Sequence, residues 1–280
     1  MSVISRVAAT PNRFDIIIRV LSQSAQNAME RDELLSLISP PNLVPNAPNE
    51  GPDTTATNSL LEAIAIGIVA QEARPSEKIT LADSFRGARP LSLLSYLEPI
   101  LVGARTDGNT GQENMSKMLE WLLEKDPRAP IDLYSNLSAE TDGILNSNAT
   151  AQQFAYWARF LGYAWHFRQP DSKWWLVPDP TAALARHLPL ILGGEGEAQL
   201  SSLPRRWAAH CPVLEGGQHR PFDAADPQFS RATSLALLRL HKKGIISLTR
   251  QADAHTSLLS VGDGTESFSH VALTQQASAS

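Results

Sequence analysis

The densest run of chemically capable side chains lies between Ser230 and Arg250. It holds Arg231, Arg239, Lys242, Lys243 and Arg250, joined by His241, and no carboxylate. Cations without local counter-charges suit the neutralisation of phosphate. If the run is a helix followed by a strand, Arg231 and Ser234 stand near the helix start, where a helix in the major groove meets base edges. Lys242 and Lys243 then stand at its end and meet phosphate. A solvated helix face accounts for the same residues almost as well. A second set opens at Asn148, Thr150, Gln152 and Gln153. Asn and Gln amides can read adenine edges, although polar residues cap helix starts in any protein. Downstream, Arg168 and Lys173 flank a turn and are expected to touch phosphate. Trp174 and Trp175 are neighbours on a strand and so face opposite ways. One is expected in the core and the other free to stack on a base or bury in a partner.

Other chemistries find no support. The chain has no GxxxxGK[ST], GxGxxG, GxSxG or HExxH. Cys211 follows His210, and His219 lies eight residues on. Two imidazoles and one thiol without a second cysteine pair make a poor zinc set. A helix-face cysteine beside a surface histidine is the better account. Asp223 and Asp226 lack the third carboxylate, or the lysine at strand spacing, that a nuclease centre needs. No catalytic residue, metal ligand or cofactor is assigned, and the chain is expected to be a non-enzyme.

Three helix–glycine–hairpin units position these residues. Phe154, Trp157, Ala158 and Leu161 follow the three-and-four spacing of one helix face. Gly162 ends that helix, and Tyr163–Phe167 and Trp174–Val177 read as strands around a polar tip. Gly67 and Gly244 hold the same place in two further units, over helices at 57–66 and 229–243. The second strand of each unit begins 11 or 12 residues after its glycine, at Lys78, Trp174 and Thr256. The first unit also has helices at 12–22 and 30–38, with a polar loop over 42–53. A helix over 90–102 bridges it to the next unit, and the small polar tract 103–112 is expected to flex. Helices are further expected at 114–124, 131–137, 182–192 and 203–213, with a hinge or exposed loop at 193–197. The expected fold is mainly α with small β-hairpins (α+β), built as tandem winged-helix domains. They divide into winged helix 1 (1–88), a bridging helix and linker (89–112), winged helix 2 (113–180), a helical segment with winged helix 3 (181–262), and a mobile tail (263–280). Phe268, Val271 and Leu273 are the tail residues able to pack as a short strand.

With 280 residues, 42% of them apolar, the chain can fill several small cores, and its net charge of −5 argues against coating nucleic acid by charge alone. Residues 1–110 carry nine basic and twelve acidic side chains, 111–192 seven and nine, and 193–280 eight of each. The first unit places Glu62 on its third helix and Glu72 and Glu77 around its hairpin, which repels phosphate. It reads as a protein-contacting or dimerising module. No run is long and apolar enough for a bilayer, no secretory signal is evident, and one cysteine forms no internal disulfide. A cytoplasmic location is expected.

Thr10-Pro11-Asn12-Arg13, within the opening SVISRVAATPNRFDIIIRVLSQ, and the succession of winged units resemble the DpdG proteins. Those are encoded in bacterial anti-phage islands associated with 7-deazaguanine DNA modification. The match is specific over about the first forty residues and architectural beyond them. It implies an accessory DNA-binding or adaptor component of a restriction complex. The unit order is also similar to the winged-helix subunits that clamp kleisins. Two functions fit these features. One is a non-catalytic, DNA-binding subunit of a bacterial defence or regulatory complex. The alternative is a scaffold that binds partner proteins without touching DNA. The partners expected are double-stranded DNA, other subunits of a defence complex and, as an option, a second copy of the chain as a homodimer.

Overall fold

A computed structural model describes residues 2–6, 9–40, 54–73, 76–103, 112–170, 173–217, 220–223 and 227–274. The expected loop over 42–53, most of the 103–112 tract, the hairpin tips at 74–75 and 171–172, and His219 and Asp226 lie outside these residues.

The first unit consists of α1 (Pro11–Gln23), β1 (Ala28–Glu30), α2 (Arg31–Ile38), α3 (Thr54–Ile66), β2 (Val69–Gln71) and β3 (Lys78–Leu81). Pro11 opens α1, where its missing N–H costs no hydrogen bond. Phe14, Ile17 and Leu21 form its fully buried stripe. The three strands are antiparallel in the order β1-β3-β2. After α4 (Leu93–Leu101), the second unit runs α5 (Glu113–Leu123), β4 (Ile131–Asp132), α6 (Asn148–Phe160), β5 (Ala164–Arg168) and β6 (Trp174–Pro178). Its sheet has the order β4-β6-β5. The third runs α7 (Thr181–Leu192), β7 (Glu197–Gln199), α8 (Leu203–Trp207), α9 (Arg231–Lys242), β8 (Ile246–Thr249), β9 (Ser257–Val261), β10 (Gly264–Phe268) and β11 (His270–Leu273). Its sheet has the order β7-β11-β8, with β9 and β10 paired apart. The fold is thus α+β, helices with small antiparallel sheets. No described helix is long and apolar enough to cross a membrane.

Gly67, Gly162 and Gly244 all end their helices at positive φ (85°, 82° and 69°). Beyond Gly244 the chain departs from expectation. β8 does not pair with 257–261. Its partner is β11, through Val271↔Leu248 and Leu273↔Ile246. The 257–261 strand pairs with β10 across a two-residue turn, Gly262-Asp263, and Gly262 supplies the positive φ such a turn requires. The equal spacing to Thr256 is therefore a coincidence of an inserted hairpin, and residues 264–273 of the expected mobile tail are strands.

Each unit also has a short strand after its first helix that periodicity does not reveal. β4 occupies part of the expected helix over 131–137. There the Asp132 carboxylate accepts from the Tyr134 backbone N–H at 2.9 Å, a local bond that competes with helix. β7 follows Gly196, inside the expected hinge, and pairs with β11. The helix expected over 203–213 stops at Trp207. Its indole N–H donates to the Glu215 carbonyl at 2.5 Å and draws the chain back over the helix.

One continuous apolar core runs through all three units. Val3, Arg6 and Ala9, ahead of α1, strap the first to the second. The Val3 carbonyl accepts from Gln153 Nε2 at 3.1 Å, and the Ala9 carbonyl accepts from Gln153 Nε2 at 2.7 Å and Trp157 Nε1 at 3.0 Å. Gln112 receives the Val3 N–H at 2.9 Å and donates to Glu62, which is wholly buried and paired with Arg6 at 2.9 Å. Phe14 of α1 packs on Trp157 of α6 at 5.4 Å between ring centroids.

Candidate nucleic-acid interface

Helix α9 is capped by Ser230, whose hydroxyl accepts the Thr233 N–H at 3.3 Å. It buries Ala232, Thr233, Ser234, Ala236, Leu237 and Leu240. Its N-terminus is already occupied by a carboxylate. Glu215, itself buried, accepts from the Ser230 N–H at 2.9 Å and the Thr233 hydroxyl at 2.7 Å, and pairs with Arg220 at 3.3 Å. A negative group there satisfies the helix dipole and its free N–H donors. A phosphate has no vacancy at that end.

The base-edge expectation at the helix start is corrected accordingly. Ser234 is 0% exposed. Its hydroxyl donates to the Phe229 carbonyl at 3.3 Å and accepts the Ser260 N–H at 2.9 Å. Arg231 is spread between Asp126 (3.4 Å) and the Gly262 carbonyl (2.9 Å). Arg128 holds the same Gly262 carbonyl and Asp263. Arg239 is half-exposed and pairs with Asp179 of the second unit. Lys242, Lys243 and Arg250 are exposed, and no ion pair holds them among the described residues.

In the second unit, Ser147 and Thr150 form a reciprocal capping box for α6. Gln153 is 3% exposed and spends its amide on the strap, so it does not face a ligand. Gln152 donates to the Tyr134 hydroxyl at 2.9 Å. Arg168 is exposed, and Lys173 lies 3.8 Å from Asp132. The tryptophan expectation also changes. Trp174 and Trp175 are both half-buried, Trp174 lying edge-on to His166 at 5.2 Å. The tryptophan in solvent is Trp165, 63% exposed.

Trp165, Arg239, Lys242 and Lys243 meet at one groove of about 690 Å³, between Gly162 and β5 on one side, α7 below, and the end of α9 on the other. Three cations face one carboxylate there, and that carboxylate, Asp179, is already held by Arg239 and by the backbone N–H of Thr181. An aromatic ring beside uncompensated lysines can take a planar base with its phosphate. The rise of β5 and the fall of α9 bring these residues together across nearly eighty positions, so no local pattern announces the pairing.

A family model described as DpdG-like matches residues 1–254. The chain belongs to the DpdG-like family. The match reaches far past the opening forty residues, through α9 and β8. No curated protein and no solved structure matches the chain. Membership supports involvement of this DpdG-like chain in a DNA modification or defence system.

A second constellation in the DpdG-like chain lies where its units converge. Glu98 of α4 pairs with Arg186 at 2.5 Å and His187 at 3.0 Å, both on α7. Arg186 also donates to the Leu161 carbonyl at 2.6 Å and so closes the end of α6. Burial pushes the Glu98 carboxyl up, but hydrogen bonds from His187 and Arg186 outweigh it and hold the group below its ordinary value. Burial pushes His187 down, and hydrogen bonds to Cys211 and Glu98, with their charge, raise it to about 9. The row Cys211–His187–Glu98 has the residue types of a thiol hydrolase, with the Tyr163 hydroxyl beside it. Cys211 and Tyr163 are wholly buried, and the pairs of Glu98 with Arg186 and His187 brace α4 against α7.

Proposed function

We propose that this DpdG-like chain is a non-catalytic DNA-binding subunit of a bacterial defence complex, built from three winged helices. The order helix, strand, helix pair, glycine, two strands supports the winged-helix reading in the first and third units; in the second a 3-10 turn over Ser138–Thr141 stands in for the first helix of the pair, and in all three the last strand lies between the other two. The observation that carries the DNA reading is the exposed pair Lys242 and Lys243, without acidic partners among the described residues, with Arg250 and Arg168 as further free cations. Because Glu215 fills the start of α9 and Arg231 is anchored, the contact is to phosphate rather than to base edges, and binding tolerates sequence.

The test is fluorescence anisotropy with a labelled duplex across a salt series. Four phosphate contacts give a log–log slope of roughly −3.6, and Lys242→Glu with Lys243→Glu should remove about half of it and weaken binding at low salt. Absence of binding to any duplex at about 50 mM salt would sink the reading. A second reading, a scaffold for partner proteins, is favoured by the first unit, where Glu72 and Glu77 stand at the hairpin. Co-purification with defence subunits that survives the double lysine variant, together with no DNA affinity, would select it.

A further inference from the structure

The outer face of the β5–β6 ladder is aromatic. Trp165 pairs across the ladder with Val177, and Phe167 with Trp175. Residues directly opposite share a face. His166 and Leu176 point the other way and are buried. Trp165 is 63% and Phe167 38% exposed, with Trp175 and Val177 half-buried behind them. Next to this face lies the groove that Trp165 shares with Lys242 and Lys243.

We infer that this face and groove hold a short stretch of single-stranded DNA, with successive bases stacked on Trp165 and Phe167 and the backbone on Lys242 and Lys243. The inference takes its choice of DNA from the function proposed above and shares Lys242 and Lys243 with it; Trp165 and Phe167 are the contacts it adds. In a duplex every base is covered above and below, and only edges are offered in the grooves. An exposed indole and phenyl ring have nothing to stack on there. A single strand presents ring faces, and its binders combine aromatic platforms with a cationic track. Positions i and i+2 on a strand stand about 6.7 Å apart, a step that one extended nucleotide can follow. An apolar helix from a partner would cover the rings but leave both lysines unanswered. A polyanion with flat apolar rings answers both.

The experiment uses the full chain and two labelled probes, an oligothymidylate of about fifteen nucleotides and a duplex. Trp165→Ala with Phe167→Ala should weaken oligothymidylate binding by roughly tenfold or more and leave duplex affinity unchanged, with the far-UV circular dichroism spectrum showing that the chain still folds although Phe167 is only 38% exposed. Trp165→Phe should keep most of the affinity while losing the larger part of the quenching of tryptophan emission that accompanies binding, Trp175 being half-buried on the same face. A structural role for Trp165 would not separate those two readouts. The inference is overturned if the alanine pair binds oligothymidylate as the parent does, or if oligouridylate binds more tightly than oligothymidylate. It is also overturned if the alanine pair dissolves a dimer or a protein complex while no oligothymidylate binds. Oligothymidylate binding through Trp165 without duplex binding would refute the duplex reading and leave this one standing. Duplex binding without oligothymidylate binding would do the reverse.

Discussion

Lys242 and Lys243 were legible as free cations because nothing acidic lies near them in sequence, and nothing acidic among the described residues pairs with them in space. Ser234 and Gln153 were not legible, because burial is decided by what packs on them. Ser260 arrives from the inserted hairpin to cover the first, and Val3 and Ala9 cover the second. Adjacent Trp174 and Trp175 are the more conspicuous signal, although the alternation of Trp165 with buried His166 gives its direction as soon as the strand is recognised. The convergence of Glu98, Arg186, His187 and Cys211 yields a pH dependence. His187 is raised in the folded chain from its ordinary value of about 6.5 to about 9. Its protonated form therefore favours folding. The contribution is whole below about pH 6.5 and fades as pH rises through about 9. Urea unfolding should show the midpoint falling between pH 6.5 and 9.5, and His187→Asn should flatten that limb. A midpoint that holds constant or rises over the interval would contradict the assignment.

Among the elements, the helices were readable because apolar spacing and stop residues agree: Phe14, Ile17 and Leu21 in α1, and Phe154, Trp157 and Ala158 before Gly162. The short strands β1, β4 and β7 were not, since two or three residues carry no period and their pairing depends on a strand far along the chain. The inserted β9–β10 hairpin did leave a sign, the Gly-Asp pair flanked by β residues. The three glycines allow a graded test. All sit at positive φ, so replacement by alanine strains each by roughly 1–2 kcal/mol. At Gly244 a new Cβ meets nothing within 4 Å, whereas at Gly162 it lies 3.0 Å from Ala182 Cβ, the Ala183 backbone nitrogen and Arg186. Gly162→Ala should therefore lower the melting temperature clearly more than Gly244→Ala. Equal losses would mean that α7 does not pack so closely on the α6–β5 turn.

At the scale of the whole molecule, the units are held by a few polar nodes set into one apolar core. The node at Glu62 is the most exacting, because that carboxylate has no contact with solvent and depends on Arg6 and Gln112. Removing one partner of a buried ion pair costs about 3–5 kcal/mol. Arg6→Ala should lower stability by an amount of that order in denaturant unfolding, and Arg6→Ala with Glu62→Gln should recover part of it. A loss within error of zero for the single variant would mean that Gln112 alone satisfies the charge.

That strap also sets a timetable for biosynthesis. Its hydrogen-bond donors on α6 lie 144 to 150 residues further along the chain. At about 5–20 residues per second, translation delivers them about 7 to 30 seconds later. Until then Val3, Ile4 and Ala9, fully sequestered in the finished molecule, sit on a nascent first unit with nowhere to dock. A ribosome stalled ahead of α6 would display that unit half-closed, as a substrate for chaperones and proteases rather than a folded intermediate.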